Sequence, residues 1–157
     1  MPRLLLNVPP RRQEQRSDCL PACVAMALDY LGRPMLYRRL LSLLGARDFG
    51  MPAGNILRLN ESGIGVYTTL THSNLDDVRS HLLADRPVIA LISTADLPYG
   101  SENADHALVI VGMDDNIIYV NDPCFDQSPQ SVSRSHFELA WLRFDNMCAV
   151  LKTSPWQ

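Results

Sequence analysis

The chain has 157 residues, 46% hydrophobic and 20% charged, with a formal net charge of −3. A chain of that length forms one domain with a substantial core, burying roughly 70% of its unfolded surface. The weakly acidic balance offers no basic footprint for nucleic acid, and no apolar run approaches the ~20 residues of a membrane-spanning helix.

Residues 1–10 carry one positive charge and an apolar stretch shorter than the ~7–15 residues of a secretory signal. The four cysteines (Cys19, Cys23, Cys124 and Cys148) are therefore expected to stay reduced, in a cytoplasmic protein. Residues 4–8 read as a short edge strand closed by Pro9-Pro10, followed by a polar segment, 11–17. Asp18 or Ser17 is expected to cap a helix over 19–31, with Pro21 in its first turn and Gly32 as its stop. This helix is apolar nearly all round, which predicts burial at the centre of the fold.

Two shorter helices are expected over 36–44 and 54–62, then a strand over 66–69 and a helix over 75–84 capped by Ser73 or Asn74. A β-branched strand follows over 87–93. The runs 107–112 and 117–120, separated by Met113-Asp114-Asp115-Asn116, have the spacing and turn chemistry of an antiparallel hairpin. A strand over 130–134, a helix over 135–141 capped by Ser135 and a last strand over 147–152 complete an α+β pattern, helices first and mainly antiparallel sheet after. Residues 1–157 read as a single domain, with no repeat and no low-complexity segment.

The chemistry concentrates at three places. Cys19 opens the buried helix, and a helix N-terminus with a neighbouring imidazolium favours the thiolate form of a cysteine. Taken alone, Cys19 reads better as a small apolar core residue, since free cysteines are among the most buried residues. His106 stands at the head of a strongly apolar strand, whereas His72, His81 and His136 lie at a turn, an outer helix face and a helix start and read as solvated. Asp122 ends the partner strand just before Pro123, and the hairpin brings it beside His106, where a carboxylate orients an imidazole. Asp122-Pro123 is also an ordinary turn initiator. Gln13, six residues before Cys19, and Gln15 are rival amide donors for an oxyanion.

These residues resemble those of the papain-like peptidase domains that cut double-glycine leader peptides from bacteriocin precursors, and of their standalone relatives. The likeness rests on Gln13 ahead of Asp18-Cys19-Leu20-Pro21-Ala22-Cys23, on His106 through Gly112, and on Asn121-Asp122-Pro123, with a Pro87-Val88-Ile89-Ala90 strand and the segment from Ser133 to Trp141 in support. It implies a papain-like fold, a peptide or protein substrate, no cofactor or metal, and catalytic roles for Cys19, His106, Asp122 and the oxyanion contact Gln13. It also allows association with a separately encoded transporter or other partner. Leu20 stands where the family usually has glycine, next to the nucleophile, and is the candidate substrate-binding residue: a larger side chain there alters which residues the cleft accepts.

Other uses of the same residues compete. A silent leader-binding or peptide-binding module keeps the fold without the chemistry, and a deamidase or isopeptidase shares the acyl-enzyme but not the acceptor. A metal site built from Cys19, Cys23, His106 and Cys124 has poor spacing, since Cys19 and Cys23 lie one helical turn apart; Cys23 reads as a packing residue and Cys124 as a spectator thiol. Arg33, Arg38 and Arg39 beside Tyr37 read as a solvated helix face. The loop 96–105 leads into His106 and is a candidate lid.

Overall fold

The computed structural model describes residues 2–100 and 102–153; Met1, Ser101 and residues 154–157 lie outside them. Its frame is a sheet of seven strands: β1 (Leu4–Leu5), β2 (Tyr67–His72), β3 (Val88–Ser93), β4 (Asp105–Met113), β5 (Ile117–Asn121), β6 (Gln130–Ser133) and β7 (Met147–Lys152). The strand order is β2-β7-β3-β4-β5-β6, every pairing is antiparallel, and β1 adds to β4 at Gly112 and Met113.

Side chains of the central strands alternate between two cores, as a pleated strand requires. Ile89, Ala107, Val109, Val111, Ala149 and Leu151 join one apolar cluster with helix α1 (Cys19–Tyr30) and helix α2 (Tyr37–Leu44). Val88, Ala90, Ile92, Leu108, Ile110 and Val150 join a second with helices α3 (Leu75–Leu83) and α4 (Arg134–Leu142). Covering on both faces explains why β3 and β4 read as continuous apolar runs. The α+β class and the buried central helix stand as expected from the sequence: Leu20 through Leu28 of α1 are all buried.

Several element ends differ from the sequence expectation. The 54–62 helix is a 3-10 helix over Ala53–Glu61, where Gly54, Asn55 and Asn60 disfavour a regular α-helix. The first strand is two residues long, and the 66–69 strand extends to His72 along β7. Asn74 caps α3 by accepting from the Asp77 N–H, but α4 is capped by Ser133, two residues before Ser135, through the His136 N–H. Asp18 makes no side-chain cap on α1. Its carboxylate is buried and turned inward, accepting from the Tyr37 O–H at 3.3 Å, and Arg11 covers the Tyr37 ring. His81 is half-buried and accepts from Arg86 Nε, burial lowering its pKa; it is not the solvated residue the sequence suggested.

One feature of the β4–β5 ladder sets up the site. A bulge lies between Ile110 and Gly112, and on the site side of it Val109 pairs with Asn121. Carried one residue further, this register puts Asp122 across from Leu108, a diagonal neighbour of His106.

Candidate active site

α1 presents Cys19 at its first residue, where the positive end of the helix dipole and unpaired backbone N–H groups lie. The residue is half-buried, in contrast with the fully buried Cys23 one turn on. Burial raises the Cys23 thiol pKa well above its usual value, with nearby Cys19, Asp122 and Cys124 adding to the effect. Cys23 is thus held as a neutral packing group.

His106 is buried at the start of β4, and its Nε2 lies 2.8 Å from Asp122 Oδ1. Burial alone would lower the imidazole pKa, but hydrogen bonding to Asp122, and then to Cys124 and Cys19, outweighs it and holds His106 well above the usual histidine range. With Nε2 committed to Asp122, Nδ1 is the nitrogen left for the Cys19 side.

Asp122 is also buried, and burial pushes its pKa up; the His106 bond and charge, the Cys124 N–H and the Tyr99 O–H pull it below the ordinary carboxylate range. Oδ1 accepts from the Cys124 N–H at 2.9 Å and Oδ2 from the Tyr99 O–H at 2.8 Å. A carboxylate withdrawn from water needs such donors, since an uncompensated buried charge is strongly disfavoured. The next strand residue back, Asn121, is buried too and donates to the Val8 carbonyl, which ties the N-terminal segment to this corner.

Gln13, Cys19, His106 and Asp122 border one depression of about 250 Å³ together with Tyr99 and Cys124. Gln13 is anchored there by its backbone N–H to the Pro123 carbonyl at 2.8 Å. Its amide Nε2 donates to the Gln15 and Arg16 carbonyls at 2.9 and 2.8 Å, and its Oε1 accepts from Cys124 Sγ at 3.4 Å. Gln15 contributes its carbonyl to this arrangement. Leu20 is buried on a neighbouring cleft of about 360 Å³ that also reaches Cys19 and His106. A larger depression of about 710 Å³ on the outer side of α2, lined by Arg38 and Arg39, shares no residue with these two.

Tyr99 and Cys124 were not singled out as site residues by the sequence. Tyr99 lies in the 96–105 segment ahead of His106, and its ring meets Phe125 edge-on at 5.0 Å, closing the Asp122 side. Cys124 Sγ lies 3.9 Å from His106 Nε2. The donor atoms of His106, Asp122 and Cys124 fall within 4.8 Å of one another, a nitrogen, oxygen and sulfur set of the kind zinc accepts. In this arrangement His106 Nε2 and Asp122 Oδ1 already satisfy each other. This differs from the set considered on sequence, which drew on Cys19 and Cys23.

A sheet carrying a histidine and a carboxylate beside a thiol at a helix start is the architecture of a papain-like cysteine peptidase. The chain belongs to the Peptidase_C39 like family, whose model matches residues 5–149, and it is a cysteine peptidase. The same fold is found in a C39-like peptidase from Bacillus anthracis (TM-score 0.81, 18% identity, covering 97% of this chain and 98% of that one). It is also found in a double glycine motif protease from an AMS/PCAT transporter, determined with its leader peptide (TM-score 0.73, 17% identity, 96% and 94% covered). The peptidase domain of Streptococcus ComA, a bifunctional ABC transporter of a quorum-sensing pathway, is similar as well (TM-score 0.72, 18% identity, 90% and 96% covered). No curated protein sequence matches the chain significantly. Among the described residues no helix is long and apolar enough to cross a membrane.

Proposed function

We propose that this peptidase hydrolyses a peptide or protein substrate through Cys19 as nucleophile, His106 as base and then acid, Asp122 as the residue that orients His106, and Gln13 as an oxyanion donor, all within a single domain. The observation that carries this reading is the buried 2.8 Å bond between His106 Nε2 and Asp122 Oδ1 beside a half-buried thiol at a helix N-terminus. His106 takes the Cys19 proton, and the thiolate attacks the carbonyl carbon, forming a C–S bond and an oxyanion. The Cys19 backbone N–H and a Gln13 N–H, exchanged from the Gln15 or Arg16 carbonyl, stabilise that charge. Collapse breaks the C–N bond and the leaving amine takes the proton from His106; water then attacks the acyl-enzyme with His106 again as base, the C–S bond breaks to release the carboxylic acid, and His106 returns the proton to Cys19.

The likeness to the protease determined with its leader peptide supports the substrate class, and the likeness to peptidase domains of transporters supports a cytoplasmic site of action and association with a transporter or other partner. The test is incubation of the protein and a Cys19→Ala variant with a complex peptide mixture, read by mass spectrometry. New peptide termini formed by the parent and absent from the variant support the proposal. Amine-linked or deamidated products without new termini would assign the same acyl-enzyme to transfer or deamidation, and no Cys19-dependent change in any peptide would reduce the site to peptide binding.

A further inference from the structure

Cys124 has no part in the proposed reaction, yet its exposed sulfur stands 3.9 Å from His106 Nε2, the ring nitrogen that bonds Asp122. Donor atoms of His106, Asp122 and Cys124 lie within 4.8 Å of one another, and a further oxygen, Gln13 Oε1, accepts from Cys124 Sγ at 3.4 Å. Gln13 turns that oxygen to the sulfur because its amide nitrogen is committed to the Gln15 and Arg16 carbonyls. The other two thiols beyond Cys19, Cys23 and Cys148, are buried.

Zinc holds imidazole nitrogen and carboxylate oxygen at about 2.0–2.2 Å and thiolate sulfur at about 2.3 Å in a tetrahedron, which sets the donors roughly 3.3–3.7 Å apart. The separations of 2.8 Å from Nε2 to Oδ1, 3.9 Å from Nε2 to Sγ and 3.4 Å from Sγ to Oε1 straddle that edge, so movements of about half an ångström would close the polyhedron. The carboxylate is already oriented for the role, since the Tyr99 O–H holds Oδ2 and the Cys124 N–H holds Oδ1; outer bonds of this kind fix ligands on a metal. The depression of about 250 Å³ bordered by Gln13, His106, Asp122 and Cys124 gives an ion access to all four. We infer that a divalent cation of the zinc class binds between His106 Nε2, Asp122 Oδ1 and Cys124 Sγ, with Gln13 Oε1 or water as the fourth ligand, and that its binding switches the peptidase off.

The ion takes the place of the proton between Nε2 and Oδ1. The Cys124 thiol proton passes to solvent, the one proton left on the imidazole sits on Nδ1, Cys19 remains a thiol, and no electron is transferred. One thiolate and one carboxylate then neutralise the dication. With Nε2 on the metal and Nδ1 protonated, His106 has no lone pair for the Cys19 proton, and a Gln13 oxygen on the metal holds its amide away from an oxyanion. The inhibition rests on His106 being the base for Cys19; the binding site does not.

Cobalt(II) and zinc(II) test the two parts separately, with a phosphine rather than a thiol as reductant. In Cys19→Ala protein, where the nucleophile can give no signal, one equivalent of cobalt should bind with thiolate-to-cobalt charge-transfer absorption, and zinc should displace it. Adding Cys124→Ser, or Cys124→Ala as a second form, should abolish the absorption and weaken zinc by at least about tenfold, the lower end of what even an outer partner of a ligand contributes. In the parent protein zinc should slow iodoacetamide labelling of Cys19 by at least about tenfold, a chelator should restore it, and Cys124→Ser should require correspondingly more zinc, each protein being measured against its own zinc-free rate. No thiolate absorption in Cys19→Ala, or equal absorption and zinc affinity without Cys124, overturns the site. Binding through Cys124 that leaves Cys19 labelling unchanged overturns the switch. Slow, His106-independent labelling of Cys19 before any metal is added overturns the nucleophile reading alone, because the metal site is read in Cys19→Ala.

Discussion

His106 and Asp122, sixteen residues apart in the chain, meet in a 2.8 Å hydrogen bond between Nε2 and Oδ1 inside the protein. The hairpin of β4 and β5 makes the meeting local in topology, and the bulge near Val111 sets its register. Because the carboxylate also receives the Tyr99 O–H and the Cys124 N–H, it stays ionised in a buried setting and stabilises the imidazolium that proton transfer from the thiol would form.

Replacement of Asp122 by Asn tests that coupling. His106 loses the partner that raises its pKa, and burial, which lowers it, then dominates. The alkaline limb of the Cys19 reactivity profile should move to lower pH by about one unit or more, with the peptidase rate down by about 10²-fold. Stability follows the same linkage. The raised His106 pKa contributes stability that is fully present below its unfolded value of ~6.5 and is lost as pH rises through the folded value, while the lowered Asp122 pKa contributes stability present above ~3.9 and lost as pH falls through its folded value. Melting temperature against pH should therefore be flatter at both ends in the variant.

Gln13→Ala separates an oxyanion donor from a loop brace. Loss of a transition-state donor lowers kcat by about 10²–10³-fold and leaves KM little changed. A fall of under about threefold, with a lower melting temperature, would instead limit Gln13 to its bonds with the Gln15 and Arg16 carbonyls.

Two thiols contact the same imidazole, so the nucleophile needs to be distinguished. Cys124→Ser retains the backbone N–H to Asp122 and should leave stability within about 0.5 kcal/mol and the labelling rate of Cys19 essentially intact. A Cys124→Ser protein that has lost activity while Cys19→Ala keeps it would reverse the assignment.

Gly112 shows how the sheet packs its N-terminal strand. A Cβ at this position would collide with the Leu4 carbonyl oxygen and approach Leu5 closely. Gly112→Ala should displace β1 and cost about 1–3 kcal/mol, the range for overpacked sites, measured by denaturant unfolding.

Much of this was legible in the chain. Apolar periodicity locates α1, the central strands and the β4–β5 hairpin, and the hairpin places Asp122 beside His106. What the sequence could not supply were contacts made by distant polar side chains. Asp18 reads as a helix cap by local rules, yet Tyr37, nineteen residues on, draws its carboxylate inward. Tyr99 reads as a loop residue because the bond that fixes its hydroxyl comes from Asp122, and Cys124 acquires its neighbours only when the segments around Gln13 and Pro123 are joined by a backbone hydrogen bond. The Ser133 cap was missed by two residues, within the usual ambiguity of helix ends.

The central claim is that Cys19 is a nucleophile activated through His106. It is tested most directly by exposing the protein to a limiting thiol-alkylating reagent across pH, mapping the modified cysteine by mass spectrometry, and repeating the series with His106→Ala. The account predicts fast, selective labelling of Cys19 at neutral pH, lost in the variant while Cys124 labelling persists. Slow labelling spread over several cysteines, with no effect of His106→Ala, would contradict it.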